Sequence, residues 1–128
     1  MSILYHLVAK INAQDPSAPA KYYAQADTRR RLTTKDLAEA ITSKTTLSET
    51  DVIAALMAIH HEVEIGLQEG KSIDLLDLCI IYPTLQSKGV DAPGDFRARK
   101  HIVRAGVRIR PKKSLIARLA NCRFVRRK

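Results

Sequence analysis

Apolar residues recur at changing intervals along this 128-residue chain, and each change of interval marks a new element. From Ser2 to Asn12 the residues Ile3, Leu4, Tyr5, Leu7, Val8 and Ile11 are apolar and largely β-prone. The breaker cluster Asp15-Pro16-Ser17-Ala18-Pro19 follows, and then a second short run at Tyr22 to Ala26, so a two-stranded N-terminal unit is predicted. At Thr33 the spacing becomes helical. Thr33-x-x-Asp36 approximates a capping box, and Leu37, Ala38 and Ile41 follow on one face, predicting a short helix over about residues 34–43. Ser48-x-x-Asp51 repeats the arrangement. Val52, Ala55, Leu56, Ile59, Val63 and Leu67 then form one stripe that ends at Gly70, a natural residue just past a helix end, so the second helix is predicted from Glu49 to Glu69. The tight link Lys44 to Leu47 folds the two into a helical hairpin.

After Gly70 the pattern turns extended. Ile73, Leu75, Leu76, Leu78, Ile80, Ile81 and Tyr82 read as one almost continuous apolar strand, which Pro83 should end because proline lacks a ladder donor. Gln86 to Lys100, rich in Gly, Pro, Asp and Lys, is too polar for a core. From Val103 the alternation is strict. Val103, Ala105, Val107 and Ile109 fall on one face of a strand, expected to pack, and Arg104, Arg108 and Arg110 on the other. Pro111 stops that strand near the start of a last helix, whose apolar stripe is Leu115, Ile116 and Leu119 and whose solvent side carries Lys112, Lys113 and Arg118.

Charge sharpens this picture. Arg97 to Lys128 holds thirteen Lys or Arg and no Asp or Glu, whereas Met1 to Phe96 holds nine basic and thirteen acidic residues. Positive charge segregated in this way attracts a polyanion, and nucleic acid is the first partner to consider. Alternate residues on a strand lie about 6.7 Å apart, so Arg104, Arg108 and Arg110 can follow a phosphate backbone without reading bases.

The remaining composition mostly excludes. Two Phe, four Tyr and no Trp leave few large side chains for a core, a shortage that dimerisation would relieve. No apolar run approaches a membrane span, and Met1 to Ile11 lacks both a basic start and a small-residue cleavage site, so a cytoplasmic protein without membrane association is expected. Cys79 and Cys122 have no CxxC partner and read as reduced thiols. His6, His60, His61 and His101 show no ligand spacing, so no metal is expected. Asp74 and Asp77 stand beside a strand without a nucleophile, phosphate loop or cofactor motif, so neither catalysis, a cofactor nor a small-molecule substrate is expected. Tyr22 and Tyr23 resemble a base-stacking pair, but adjacent strand residues point to opposite faces, which favours packing for at least one.

Helix, helix, strand, long polar arm, strand and short helix is also the element order of the bacterial histone-like HU and integration-host-factor family. Four stretches resemble it locally: Asp36-Leu37-Ala38 with Ile41; Leu47-Ser48-Glu49-Thr50-Asp51-Val52; Gly70-Lys71-Ser72-Ile73-Asp74-Leu75; and Arg110-Pro111-Lys112-Lys113-Ser114-Leu115. They span Thr33 to about Asn121, in the manner of a divergent HU-like branch with an N-terminal extension. The chain departs from the family pattern in places. Leu76-Asp77-Leu78-Cys79-Ile80 replaces a Gly-x-Gly-x-Phe-like turn, Lys112 stands where a Gly usually follows the Pro, and Gly89 to Phe96 replaces the usual Arg-Asn-Pro arm tip.

The resemblance implies an α+β, HU-like fold: a helical hairpin, β-strands with a protruding β-arm at about residues 84–102, a short C-terminal helix, and an intertwined dimer. Residues 1–32 would be the extension and 33–128 the DNA-binding domain. Such a dimer forms a saddle of strands and reaches two arms around the duplex. By resemblance, Lys88, Arg97, Arg99 and Lys100 would lie along the arm, the last three on its returning strand. Arg104, Arg108 and Arg110 would line the saddle, with Lys112 and Lys113 on its flank. Pro93, then Phe96, would be the wedge at the tip, while Asp91 and Asp95 oppose close approach to phosphates. The implied function is sequence-tolerant binding of double-stranded DNA by a homodimer in the nucleoid, compacting or bending it. Two other classes use the same features: an RNA-binding protein, and an interaction module that offers the N-terminal strands and the arm as edges to another chain.

Overall fold

The computed structural model describes all residues from Met1 to Lys128 as a mixed α+β fold with four helices and two small sheets. The first sheet is built from both ends of the chain. Strand β1 (Ser2–Lys10) pairs antiparallel with β2 (Lys21–Ala26) and parallel with β6 (Arg123–Arg126), giving the order β2-β1-β6. The second sheet is antiparallel, with β3 (Ile73–Leu75), β4 (Cys79–Ser87) and β5 (Ile102–Pro111) in sequence order.

Between the sheets in sequence lie α1 (Thr34–Thr42) and α2 (Glu49–Gln68), packed on each other. Both begin with complete capping boxes. The Asp36 amide donates to Thr33 Oγ1 at 3.2 Å while Asp36 Oδ2 accepts from the Thr33 amide at 2.9 Å, and Ser48 with Asp51 repeats the exchange at 3.1 and 3.2 Å. Each box satisfies two of the amides that a helix start leaves unpaired. Hydrogen bonds onto the carboxyls hold both below the usual carboxylate range, from the Thr33 amide and then its hydroxyl for Asp36, and from the Ser48 side chain and then its amide for Asp51. Gly70 ends the second helix at φ +76°, a conformation open to glycine without cost. A one-turn α3 (Ala98–His101) precedes β5, and α4 (Lys113–Ala120) follows it.

Three sequence expectations need correction. The apolar run from Ile73 to Tyr82 is two strands, because the chain turns at Leu76 to Leu78: the Leu78 amide donates to the Leu75 carbonyl at 2.9 Å, and Leu76 takes φ +48°. Pro83 does not end its strand, which continues to Ser87 with Pro83 opposite Val107. Strand β3 pairs with β4 only as far as Ile81, so one side of β4 is open at Pro83 and tolerates a residue without an N–H. The returning strand of the arm also begins later than expected, at Ile102.

Little of the chain is enclosed. Ala38, Val52 and Cys79 are its buried residues. The face of β5 expected to pack stays open, with Val103 and Val107 each 56% exposed and Ile109 65% exposed. Its cross-strand neighbours Leu85, Pro83 and Ile81 extend that apolar face across β4.

Candidate nucleic-acid interface

Pairing between β4 and β5 fixes which side chains share the opposite face. Gln86 lies across from Arg104, Thr84 from Gly106, Tyr82 from Arg108 and Ile80 from Arg110, and directly paired residues point the same way. Two of the three arginines are steered by neighbours. Arg104 Nε donates to Gln86 Oε1 at 2.7 Å, and the Arg110 guanidinium lies 5.9 Å from the centre of the Tyr82 ring, within range of a cation–π attraction. Between Arg104 and Arg108 sits Gly106, where a Cβ would come within 3.0 Å of Thr84 Oγ1. The missing side chain keeps the strand surface low between two cations. Tyr82, Thr84, Gln86, Arg104, Gly106 and Arg108 border an open concavity of about 790 Å³.

At the end of β5, Lys112 caps α4 and Lys113 is its first helical residue. Lys112 Nζ donates to Asp74 Oδ1, so part of its charge is already matched. Cations at a helix N-terminus oppose the helix dipole, and an anion docked between the two lysines would relieve that opposition.

The far end of the β4–β5 hairpin differs from an extended arm. Ser87 pairs with Ile102, and residues between them fold into a compact cap rather than two further strands. Pro93 opens a 3-10 turn over Pro93–Asp95, and Arg99 and Lys100 lie on the one-turn α3 with Arg97 at its cap. Local bonds close the loop. The Lys88 amide donates to the His101 carbonyl at 2.8 Å, Arg97 Nη1 donates to the carbonyls of Gly94 at 2.9 Å and Phe96 at 3.1 Å, and the Phe96 ring lies 5.2 Å from that of His101. Arg97 and Phe96 thus make contacts within the loop, and they, like Pro93, Arg99 and Lys100, are exposed.

The acid-free stretch of the sequence does not form one surface. Arg104, Arg108, Arg110, Lys112 and Lys113 belong to the second sheet and its flank, whereas Arg123, Arg126 and Arg127 run along the first sheet. There Arg127 meets Asp27. Its side chain is 4% exposed; Arg29 donates to it through Nε at 2.9 Å and Nη2 at 2.8 Å, and Arg127 through Nη1 at 2.6 Å. The hydrogen bonds from Arg29, then that from Arg127, hold the Asp27 carboxyl far below the usual carboxylate range, and Asp27 in turn raises the pKa of Arg29. The signal available in sequence was faint: the β-prone pair Phe124-Val125 between arginines hinted at β6, and nothing local marked Asp27.

No group of three or more His, Cys, Asp or Glu side chains is placed to hold a metal ion, and both cysteines are free. No helix is long and apolar enough to cross a membrane. Among curated proteins none matches this sequence. Among solved structures, a chain from Bacteroides vulgatus ATCC 8482, provisionally described as a bacterial DNA-binding protein, aligns with a TM-score of 0.69 and 14% identity. The alignment covers 98% of this chain and 47% of that one, so this chain spans less than half the length of its structural neighbour. Residues 1–126 match the family HU-HIG, described as an HU domain fused to a wHTH, Ig or glycine-rich motif, which accounts for the HU resemblance of the four short stretches, and the chain belongs to that family.

Proposed function

We propose that this protein binds double-stranded DNA without reading its sequence, as an HU-like homodimer that compacts or bends the duplex in the nucleoid. The observation that carries this reading is the arginine face of β5: Arg104, Arg108 and Arg110 project together from a strand that contains no acidic residue. Phosphate contacts of this kind fix position and carry affinity rather than base identity. Family membership and the description of the structural neighbour support DNA as the polyanion.

The homodimer rests on surface. The chain exposes 11427 Å², whereas a compact monomer of its mass exposes about 6,800 Å². A second copy covering the apolar face of β4 and β5 would bury Val103, Val107 and Ile109 and set two arginine faces side by side. In that arrangement residues 33–128 form the DNA-binding body and residues 1–32 an extension to which β6 is lent. Lys88, Arg99 and Lys100 would extend the contact from the hairpin cap, Lys112 and Lys113 would flank it, and exposed Pro93 is a better wedge than Phe96, which is held on His101.

If about six to eight cations engage phosphates, log K falls with log salt at a slope of roughly −5 to −7. A gel-shift series between low and physiological salt measures this, and a flat affinity would refute the reading. Replacing Arg104, Arg108 and Arg110 with Glu should weaken single-duplex binding at least tenfold with the dimer intact. Preference for RNA over DNA in direct competition would assign the same cations to an A-form partner.

A further inference from the structure

Folding moves the centre of charge away from where the sequence places it. Residues 1–32 and 121–128, which together build the first sheet and its approaches, contain nine of the 22 Lys and Arg and two of the 13 acidic residues. This unit therefore carries +7 of the net +9, and residues 33–120, including the arginine face of β5, carry +2. One of its two acids, Asp15, sits in the β1–β2 turn and accepts from Ser17 Oγ at 2.6 Å, at the end of β1 remote from β6. The other is Asp27.

Asp27 acts as an organiser rather than a neutraliser. Its almost enclosed carboxylate takes three hydrogen bonds from Arg29, two from the guanidinium and one from the amide, and one from Arg127. Each guanidinium has five N–H donors, so most remain free, and the two side chains are 68% and 49% exposed. Arg30 and Arg127 border one concavity of about 490 Å³ with Ser2, Ile3 and Leu4. Arg123 is in register with Ser2, four residues before Arg127, whose amide continues the ladder by donating to the Tyr5 carbonyl at 2.8 Å, so strand alternation turns the two the same way. Guanidinium pairs fixed in this way match phosphate oxygens.

We propose that Arg29, Arg30 and Arg127, set around Asp27, together with Arg123 at the start of β6, form a second phosphate-binding surface that takes the backbone of a second duplex, so that one protein particle bridges two DNA segments. The inference builds on the DNA reading above but lies on a different sheet. The two sheets share no strand, and the first is joined to the rest through the segment after Ala26 and the link from α4.

A bridging assay with the full chain tests this. One duplex is fixed to beads and a second, fluorescent duplex is added with or without protein. The wild-type chain should capture the second duplex. Arg30→Glu with Arg123→Glu, neither of which bonds Asp27, should cut capture at least tenfold while single-duplex affinity in a gel shift falls less than threefold. Arg30→Gln with Arg123→Gln supplies a milder pair should the reversal disturb folding, and should weaken capture in the same direction. Undiminished capture by both pairs, or a wild-type chain that binds one duplex but captures no second, overturns the proposal and leaves the arginine face of β5 as the DNA site. If instead the Arg104, Arg108 and Arg110 reversal leaves single-duplex binding intact and the Arg30 and Arg123 reversal removes it, the first sheet stands as the DNA site and the saddle reading fails. Capture of single-stranded RNA in preference to duplex would overturn the duplex assignment for this surface.

Discussion

The two sheets have three strands each and opposite origins. Strands β3, β4 and β5 follow one another in sequence and pair antiparallel, so the face of every residue follows from alternation: arginines on one side, Val103, Val107 and Ile109 on the other. The first sheet joins the two ends of the chain, with β6 laid parallel to β1 after the whole of the second sheet has been built. The sheet with the visible arginine stripe belongs to the nearly balanced part of the molecule. The sheet without one belongs to the part that holds most of the net charge. A basic run thus states how much positive charge the chain carries, and strand pairing decides where it acts.

The sharpest way to break this comparison is to attack the apolar side of the second sheet. Val107→Asp with Ile109→Asp places two carboxylates where the proposed partner subunit packs. A fully buried Val or Ile side chain contributes about 1.5–3 kcal/mol, and an unpaired charge in the same place adds a desolvation cost. The expected result by sedimentation equilibrium is a monomer, with DNA affinity reduced because two arginine faces no longer act together. A variant that remains a dimer would move the interface away from this face.

A smaller effect is expected at Asp27. With Asp27→Asn, Arg29 and Arg127 lose an ionised partner that bonds both, and β6 should loosen. The amides of Arg123 and Arg127, which donate to the carbonyls of Met1 at 3.2 Å and Tyr5 at 2.8 Å, should exchange faster, while those along β4 and β5 keep their protection. Equal protection in the variant would reduce the clasp to a surface contact. The pH dependence has a definite sign. A carboxyl whose pKa is lowered by folding stabilises the protein above the ordinary value near 3.9, and that contribution is lost as pH falls below it toward the folded-state value. Asp27, Asp36 and Asp51 are all shifted this way. Thermal melts from about pH 7 to about pH 2 should therefore show stability falling below about pH 4, with a shallower fall in the Asp27→Asn variant. Identical pH profiles would argue against the clasp.

Local signals made the middle of the chain legible. Both helices start at the residues that Thr33-x-x-Asp36 and Ser48-x-x-Asp51 indicate, and the β5 alternation places Arg104, Arg108 and Arg110 on one face. What the sequence hid depends on pairing between distant residues or on a single dihedral. Four residues, Arg123 to Arg126, are too short a run to announce a strand, and β6 exists because β1 offers it an edge. The clasp joins residues 27 and 127, a separation that no window of sequence spans. The hairpin cap replaced the returning arm strand because Arg97, Phe96 and His101 bond and stack among themselves, which composition alone does not disclose.

The smallest expected effect lies at the turn that divided one anticipated strand into two. Leu76 holds φ +48° and is 89% exposed, so it bears the cost of a left-handed backbone and gains almost nothing from burial. For a residue with a Cβ that conformation costs roughly 1–2 kcal/mol, and glycine avoids it. Leu76→Gly also enlarges the freedom of the unfolded chain, an opposing term of about 0.4–1 kcal/mol. The balance favours the variant by up to about 1.6 kcal/mol, read as a higher urea midpoint with an unchanged slope. DNA affinity should change little, because the substitution removes no cation and leaves in place the Leu78 carbonyl that accepts from the Lys112 amide at 3.1 Å. A destabilised variant would mean that Leu76 packs against a second subunit in solution, which would carry the dimer contact past the apolar sheet face to the turn between β3 and β4.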